Sequence, residues 1–279
     1  MTAQQAQRVV VGVDGSIISV RALDRAAEEA ALRGATLEIV YAVPDLDEAE
    51  PVLASALSRV RDRYPGLPVS TAPVAADPAQ ALASRSRNAA LTVVGTRGLG
   101  GFAGLLLGSV SLRLAAHTHG PLLVVRGEPN PNPGVVLLGI ESDADTDAAA
   151  YAFEEAARRG APLRVLHAWT YRHRTPAGLS PTPPDRVQDD IARHAKAEEA
   201  LPGQVMAPLR EKHPHVAVET RTVRSGPAHA LLQATLGADV VVIAAHRRHG
   251  GPSPQLGPVA HALLHHAHCP VVVVPGPAA

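Results

Sequence analysis

Val9-Val10-Val11-Gly12-Val13-Asp14 opens a pattern that returns as Val135-Val136-Leu137-Leu138-Gly139-Ile140-Glu141. Each is a short apolar run, as in a strand buried on both faces. A stretch rich in Ala and Glu follows each run, Val20 to Arg33 and Ala148 to Arg159. That composition favours helix. Both stretches end in Arg-Gly, at Arg33-Gly34 and Arg159-Gly160. A cationic last turn suits the negative end of the helix dipole, and glycine suits the cap beyond it. A second strand is expected next in each copy, over Thr36 to Val43 and Pro162 to Trp169.

The ends of the two copies match without a gap. Gly108, Val110, Leu114, His117, Pro121 and Val124-Val125 find their counterparts 149 positions later in Gly257, Val259, Leu263, His266, Pro270 and Val273-Val274. Further strands of the first copy are expected near Val69–Val74, Leu91–Val94 and Leu122–Val125. Strands alternating with helices predict an α/β chain of two tandem Rossmann-like domains, each a five-stranded parallel sheet with helices on both faces. The domains are expected at 1–127 and 134–279. Between them lies Gly127-Glu128-Pro129-Asn130-Pro131-Asn132-Pro133, which reads as an extended linker over 128–133. Another four prolines, Pro176, Pro181, Pro183 and Pro184, suggest a loop over 171–185.

Composition narrows the function classes. With 26 Lys+Arg against 26 Asp+Glu and lysine only at Lys196 and Lys212, no basic face for nucleic acid is visible. The lone Cys269 excludes an intramolecular disulfide. No run of 18 apolar residues predicts a membrane span, and Met1–Arg8 lacks an apolar signal core. A soluble, cytoplasmic protein is expected.

Ligands of open parallel sheets bind beyond the carboxyl ends of the strands. Asp14, Ala42 and Gly95 all follow strands. After Leu91–Val94 the chain reads Gly95-Thr96-Arg97-Gly98-Leu99-Gly100-Gly101-Phe102-Ala103-Gly104-Leu105-Leu106-Leu107-Gly108-Ser109-Val110-Ser111, with six glycines between 95 and 108. So little side-chain bulk lets main-chain N–H groups approach an anion. The helix expected from near Gly108-Ser109 to about His117 adds N–H groups without intrahelical partners. The lysine of G-x-x-x-x-G-K-[ST] is missing, so that phosphate loop is excluded.

The stretch fits G-x2-G-x9-G-[ST], through Gly95, Gly98, Gly108 and Ser109. It resembles the ATP-binding signature of the universal stress protein family. Val-Gly-Val-Asp-Gly-Ser at 11–16, Ala-Asp-Pro at 76–78 and Gly-Pro-Leu-Leu-Val-Val at 120–125 agree with that resemblance, which covers nearly the whole chain. The resemblance implies that Gly12, Val13 and Asp14 border the nucleotide, and that adenine lies against main chain near Ala42. It implies that Val94, Gly95, Arg97, Gly98, Gly108, Ser109 and Val110 hold ribose and phosphates, with Ser111 a lesser contact. ATP is the expected ligand, with Mg²⁺ able to travel with it. An ionised Asp14 accepts hydrogen bonds and so suits ribose hydroxyls. It also suits the helix cap before Ser16. Ser109 could equally cap its helix, and Arg97 could be a solvated loop residue.

In the second copy, Ala244, Arg247 and Pro258 replace Gly95, Gly98 and Ser109, and only Gly257 survives. Proline has no N–H for a phosphate but fits the first turn of a helix. ATP is therefore expected in the first domain, with the second binding it weakly or not at all, though Arg247, Arg248 and the histidines could still attract another anion. His261, His265, His266 and His268 invite a metal, but no completing cysteine or carboxylate is evident. The role implied is a stress-response regulator. A slow ATPase and a nucleotide-free interaction scaffold are the alternatives. No catalytic base is evident in the loop. The two domains are expected to pair about a pseudo-twofold axis through Leu122–Val125 and Val271–Val274. Association into a homodimer and the protein partner are left open.

Overall fold

A computed structural model of the chain describes residues 7–43, 46–97, 107–126, 134–171, 184–248 and 255–276. The first half runs β1 (Arg8–Gly12), α1 (Ile17–Arg33), β2 (Thr36–Ala42), α2 (Ala49–Arg63), β3 (Val69–Val74), α3 (Pro78–Ser86), β4 (Leu91–Gly95), α4 (Ser109–His117) and β5 (Leu122–Val125). The second half repeats the order with β6 (Val136–Ile140), α5 (Thr146–Arg159), β7 (Leu163–Trp169), α6 (Pro184–Lys212), β8 (Val218–Arg224), α7 (Pro227–Ala234) and β9 (Val240–Ala245). A hairpin of β10 (Arg247–Arg248) and β11 (Gln255–Leu256), which the sequence did not suggest, is inserted before α8 (Pro258–His266) and β12 (Val271–Pro275).

The strands form one sheet in the order β3-β2-β1-β4-β5-β12-β9-β6-β7-β8. Pairing is parallel within each half. The halves meet where β5 and β12 run antiparallel, with Val124 opposite Val271 and Leu122 opposite Val273. The expected pairing of the last strands thus fuses two five-stranded units into one ten-stranded sheet. The order reads the same from either end once each strand is exchanged for its repeat, as a pseudo-twofold axis requires.

The period-two alternation of the strands decides which helices cover which face. Val9, Val11 and Val93 face one core with α1, α2, α5 and α6. Val10, Val94 and Val124 face the other with α3, α4, α7 and α8. The Arg-Gly helix ends behave as expected at the glycine. Gly34 and Gly160 adopt φ of 59° and 61°, and each N–H returns to the last turn of its helix.

The arginines do more than answer a dipole. Glu29 and Arg33 of α1 meet Glu155 and Arg159 of α5 across the boundary between the halves, with all four side chains 11% exposed or less. Arg33 binds Glu29, and it reaches Glu155 at 2.6 Å and the Tyr151 hydroxyl at 3.0 Å. Arg159 binds both glutamates. A second cross-boundary tie is Arg126. Its Nε and Nη1 donate to the carbonyls of Ala267 and Leu264, at 2.9 and 2.7 Å, closing the end of α8.

Candidate functional site

Strand order reverses between β1 and β4 in the first half and between β6 and β9 in the second. A crevice at the carboxyl end of each pair is where this architecture receives ligands. In the first half the chain leaves β1 through Val13, whose N–H donates to Val40 at 2.9 Å, and turns at Gly15 with φ of 82°. Only glycine adopts that conformation without strain. Asp14 is half-buried at this turn and its Oδ1 accepts the N–H of Ser16 at 3.0 Å. Ser16, not Asp14, caps α1, its hydroxyl accepting from Ser19 at 3.1 Å.

Gly12 ends β1 and Gly95 ends β4, and packing explains why both are bare. A Cβ at Gly12 would meet Leu82 Cδ1 at 2.7 Å, and one at Gly95 would meet Ile18 Cγ2 at 2.6 Å. Val94 is buried behind Gly95. Ala42 ends β2 opposite Val74 of β3, one strand outward from β1. Tyr41, unremarked in the sequence, is buried beside it. Burial, then Glu48 and Asp14, push its phenol above the usual tyrosine range.

The far wall is the start of α4. Gly108 is its N-cap residue, and no side chain caps that end. Serine closes α1 and Asp77 closes α3 through Gln80, so α4 differs from both neighbours. Gly108 donates its own N–H to Thr96 at 2.6 Å. Ser109 and Val110 begin the helix, Ser109 exposed, and their N–H groups precede Leu112, whose N–H is the first to donate within the helix, to the Gly108 carbonyl. Arg97 is exposed. Ser111 is buried, and its hydroxyl donates to the Gly95 carbonyl at 2.7 Å, tying α4 to β4. Gly98 and the loop to residue 106 lie outside the described residues, as do residues 127–133 and 172–183.

The second half keeps the frame and changes the lining. Gly257 caps α8 as Gly108 caps α4, and Pro258 takes the first helical position. Ala244 stands where Gly95 did, and the backbone of Arg247 is in β10. A cavity of about 200 Å³ opens here, walled by Gly139, Ile140, Ala168, Leu231, Ile243 and Ala260, among others. Glu141, Asp145 and His246 are its ionisable side chains. Asp145 takes the N–H groups of Glu141 and Ser142 on Oδ2 at 2.6 and 3.3 Å. Its Oδ1 lies 2.9 Å from His246 Nε2. Burial opposes the charge of Asp145, but His246 and those N–H groups outweigh it and lower the carboxyl pKa. Asp145, aided by Glu141 and against burial, raises the pKa of His246. The sequence had marked Glu141 but neither Asp145 nor His246. The only available signal was Ser142 three residues before Asp145, a capping box.

A larger hollow, about 430 Å³, lies between α3 and α4, with Arg87, Arg113, His117 and His119 on an alanine floor, away from both strand-end crevices. His261 and His265 stack at 4.4 Å. Among the described residues no three His, Cys, Asp or Glu side chains gather as a metal site, and no helix is long and apolar enough to cross a membrane.

Known proteins bear the same design. The family model described as the Universal stress protein family matches residues 5–63, 47–126 and 134–275. Universal stress protein Rv1996 of Mycobacterium tuberculosis is 32% identical over 313 residues, covering 98% of this chain and 96% of its own. A universal stress protein of Archaeoglobus fulgidus, solved by crystallography, shares the fold at a TM-score of 0.67 and 18% identity, with 96% of each chain covered. A shorter solved universal stress protein, in complex with cAMP, is 34% identical over 43% of this chain and 97% of its own, with a TM-score of 0.38. Matched over both of its repeats, the chain belongs to the universal stress protein family.

Proposed function

We propose that the first domain, residues 1–127, binds ATP in the crevice between β1 and β4, and that its occupancy regulates a stress response in the cytoplasm. The observation that carries this reading is the start of α4 beside the end of β4, without a side-chain cap, where α1 and α3 are capped by side chains. A helix end of that kind offers N–H donors and a positive dipole to an anion. Val110 and Ser109 supply the donors, with Gly108 giving main-chain access and Gly98 and Arg97 in the adjoining loop. Asp14 accepts from ribose hydroxyls, and the main chain at Gly12, Val13 and Ala42 borders the base and sugar. Ser111 contributes by fixing α4 to the Gly95 carbonyl. Val94 and Gly95 keep the floor thin. Mg²⁺ enters with the nucleotide.

Ser109→Pro tests the site without disturbing the helix, because Pro258 already opens α8. It removes one donor to phosphate. A charge-assisted hydrogen bond of about 1.5–3 kcal/mol corresponds to roughly a ten- to hundredfold weaker ATP affinity. Calorimetry of the full chain should show one ATP site in the native protein and that weakening in the variant. An unchanged affinity, or a native protein that binds no adenine nucleotide, refutes the proposal.

A further inference from the structure

The cavity at the end of β6 and β9 occupies the position of the first domain's crevice, and two differences, Pro258 and Asp145, reverse its preference. Pro258 withdraws the N–H at the first position of α8. Asp145, with a side chain 1% exposed, stands in the wall as a carboxylate. Its Oδ1 is buried, and its one close contact is the His246 Nε2 ion pair at 2.9 Å, which leaves the rest of that oxygen's accepting capacity unused. Glu141 adds a second carboxylate at the rim, 71% exposed and 3.6 Å from the same imidazole. With His246 protonated, the described ionisable side chains of the wall still carry one net negative charge. A polyphosphate would be repelled, and the helix start that would draw it lacks a donor.

The remaining lining is apolar. Ile140, Ala168, Leu231, Ile243, Val259 and Ala260 give no hydrogen bond from their side chains. At about 200 Å³ the hollow is smaller than an ordinary drug-sized site of roughly 300–1,000 Å³. It has room for one ring or a branched alkyl group. From the buried Oδ1 of Asp145, met only by His246 among the described residues, in an apolar hollow whose described ionisable side chains are net negative, we infer that the second domain binds a small organic monocation: a primary amine on a compact apolar body. The ammonium donates to Asp145 Oδ1, with Glu141 beside it, and the ring or alkyl part lies against Leu231 and Ile243. Two crevices of one chain then take ligands of opposite charge. This assignment stands apart from ATP binding in the first domain.

The test uses the full chain and three probes of matched size: 2-phenylethylamine, 2-phenylethanol and phenylacetate. Binding is read by calorimetry and by ligand-observed NMR. The amine should bind about tenfold or more tightly than either control, as a buried charge partner implies. Asp145→Asn keeps an acceptor for the Glu141 and Ser142 N–H groups and should weaken the amine at least about tenfold. Glu141→Gln, at an exposed site that leaves folding intact, should weaken it about two- to fivefold. Leu231→Trp should fill the hollow and abolish binding. ATP added in the same titrations should bind as it does to the native chain. The inference is overturned if phenylacetate or the alcohol binds as well as the amine, if the native chain binds none of the three, or if Glu141→Gln and Leu231→Trp leave amine binding unchanged.

Discussion

Replacing Glu29 by glutamine should cost about 3 kcal/mol of stability at neutral pH, and the cost should vanish in acid. Burial alone would raise the Glu29 pKa, but Arg159, Arg25 and Arg33 outweigh it and hold the carboxyl at about 2, against 4.5 for an ordinary glutamate. At about 1.4 kcal/mol per pH unit, that depression is worth about 3 kcal/mol. The figure agrees with the roughly 3–5 kcal/mol lost when one partner of a buried ion pair is removed. A carboxylate that titrates lower in the folded state stabilises fully above its unfolded pKa. Its contribution is lost as pH falls from about 4.5 toward 2. Urea unfolding of native protein and Glu29→Gln, followed by circular dichroism from pH 7 to 2.5, should therefore give curves that converge in acid. Because the group joins the two halves, fluorescence of Trp169 in the second half should report the loss as well. A loss below about 1 kcal/mol at pH 7, or a difference that persists unchanged at pH 2.5, refutes the reasoning.

Gly95→Ala should lose roughly 1–3 kcal/mol by overpacking, since the new methyl meets Ile18 Cγ2 at 2.6 Å and the Ile18 carbonyl at 3.1 Å. Adding Ile18→Ala should restore part of it, as thermal unfolding would show. Burial pushes the Cys269 thiol up to about 12, and the residue is 3% exposed. A thiol reagent at pH 8 should label the native chain far more slowly than the urea-unfolded chain. Arg126→Met should expose the Ala267 and Leu264 carbonyls and cost about 1–3 kcal/mol. Hydrogen exchange should quicken at the end of α8 and leave β2 unaffected.

Apolar periodicity and turn chemistry made most of the fold legible. The helix expected from near Gly108-Ser109 to about His117 is α4, Ser109–His117, because Gly108 and the apolar run bound it on both sides. The 149-residue offset carried that span onto α8, and the family resemblance implied the pairing of β5 with β12. What failed to show was set by distant neighbours. Arg33 and Arg159 read as helix-end cations, yet their partners lie on the opposite half, which no local pattern reveals. In α6, Pro202 and Pro208 are helix breakers by propensity, but Val205, Met206 and Leu209 bury their side chains in the core and the helix continues through both. At the candidate site, glycines suggested room for a ligand, and two of them proved to make room for Leu82 and Ile18. Asp145 and His246 stayed hidden because they are a hundred residues apart and meet only at the strand ends.

The antiparallel join of β5 to β12 leaves β3 and β8 as the rims of the sheet. Those strands are mostly accessible, β3 carries Pro73, and β8 reads Val-Glu-Thr-Arg-Thr-Val-Arg. Proline and charge discourage a further strand from annealing there. Each half has thus already found, inside its own chain, the mate that a solitary domain would have to seek by diffusion. Tethering of that kind makes pairing independent of protein concentration and fixes which domain sits opposite which. An unequal pair can then be inherited as a unit, one member keeping the old pocket and the other free to line its own differently.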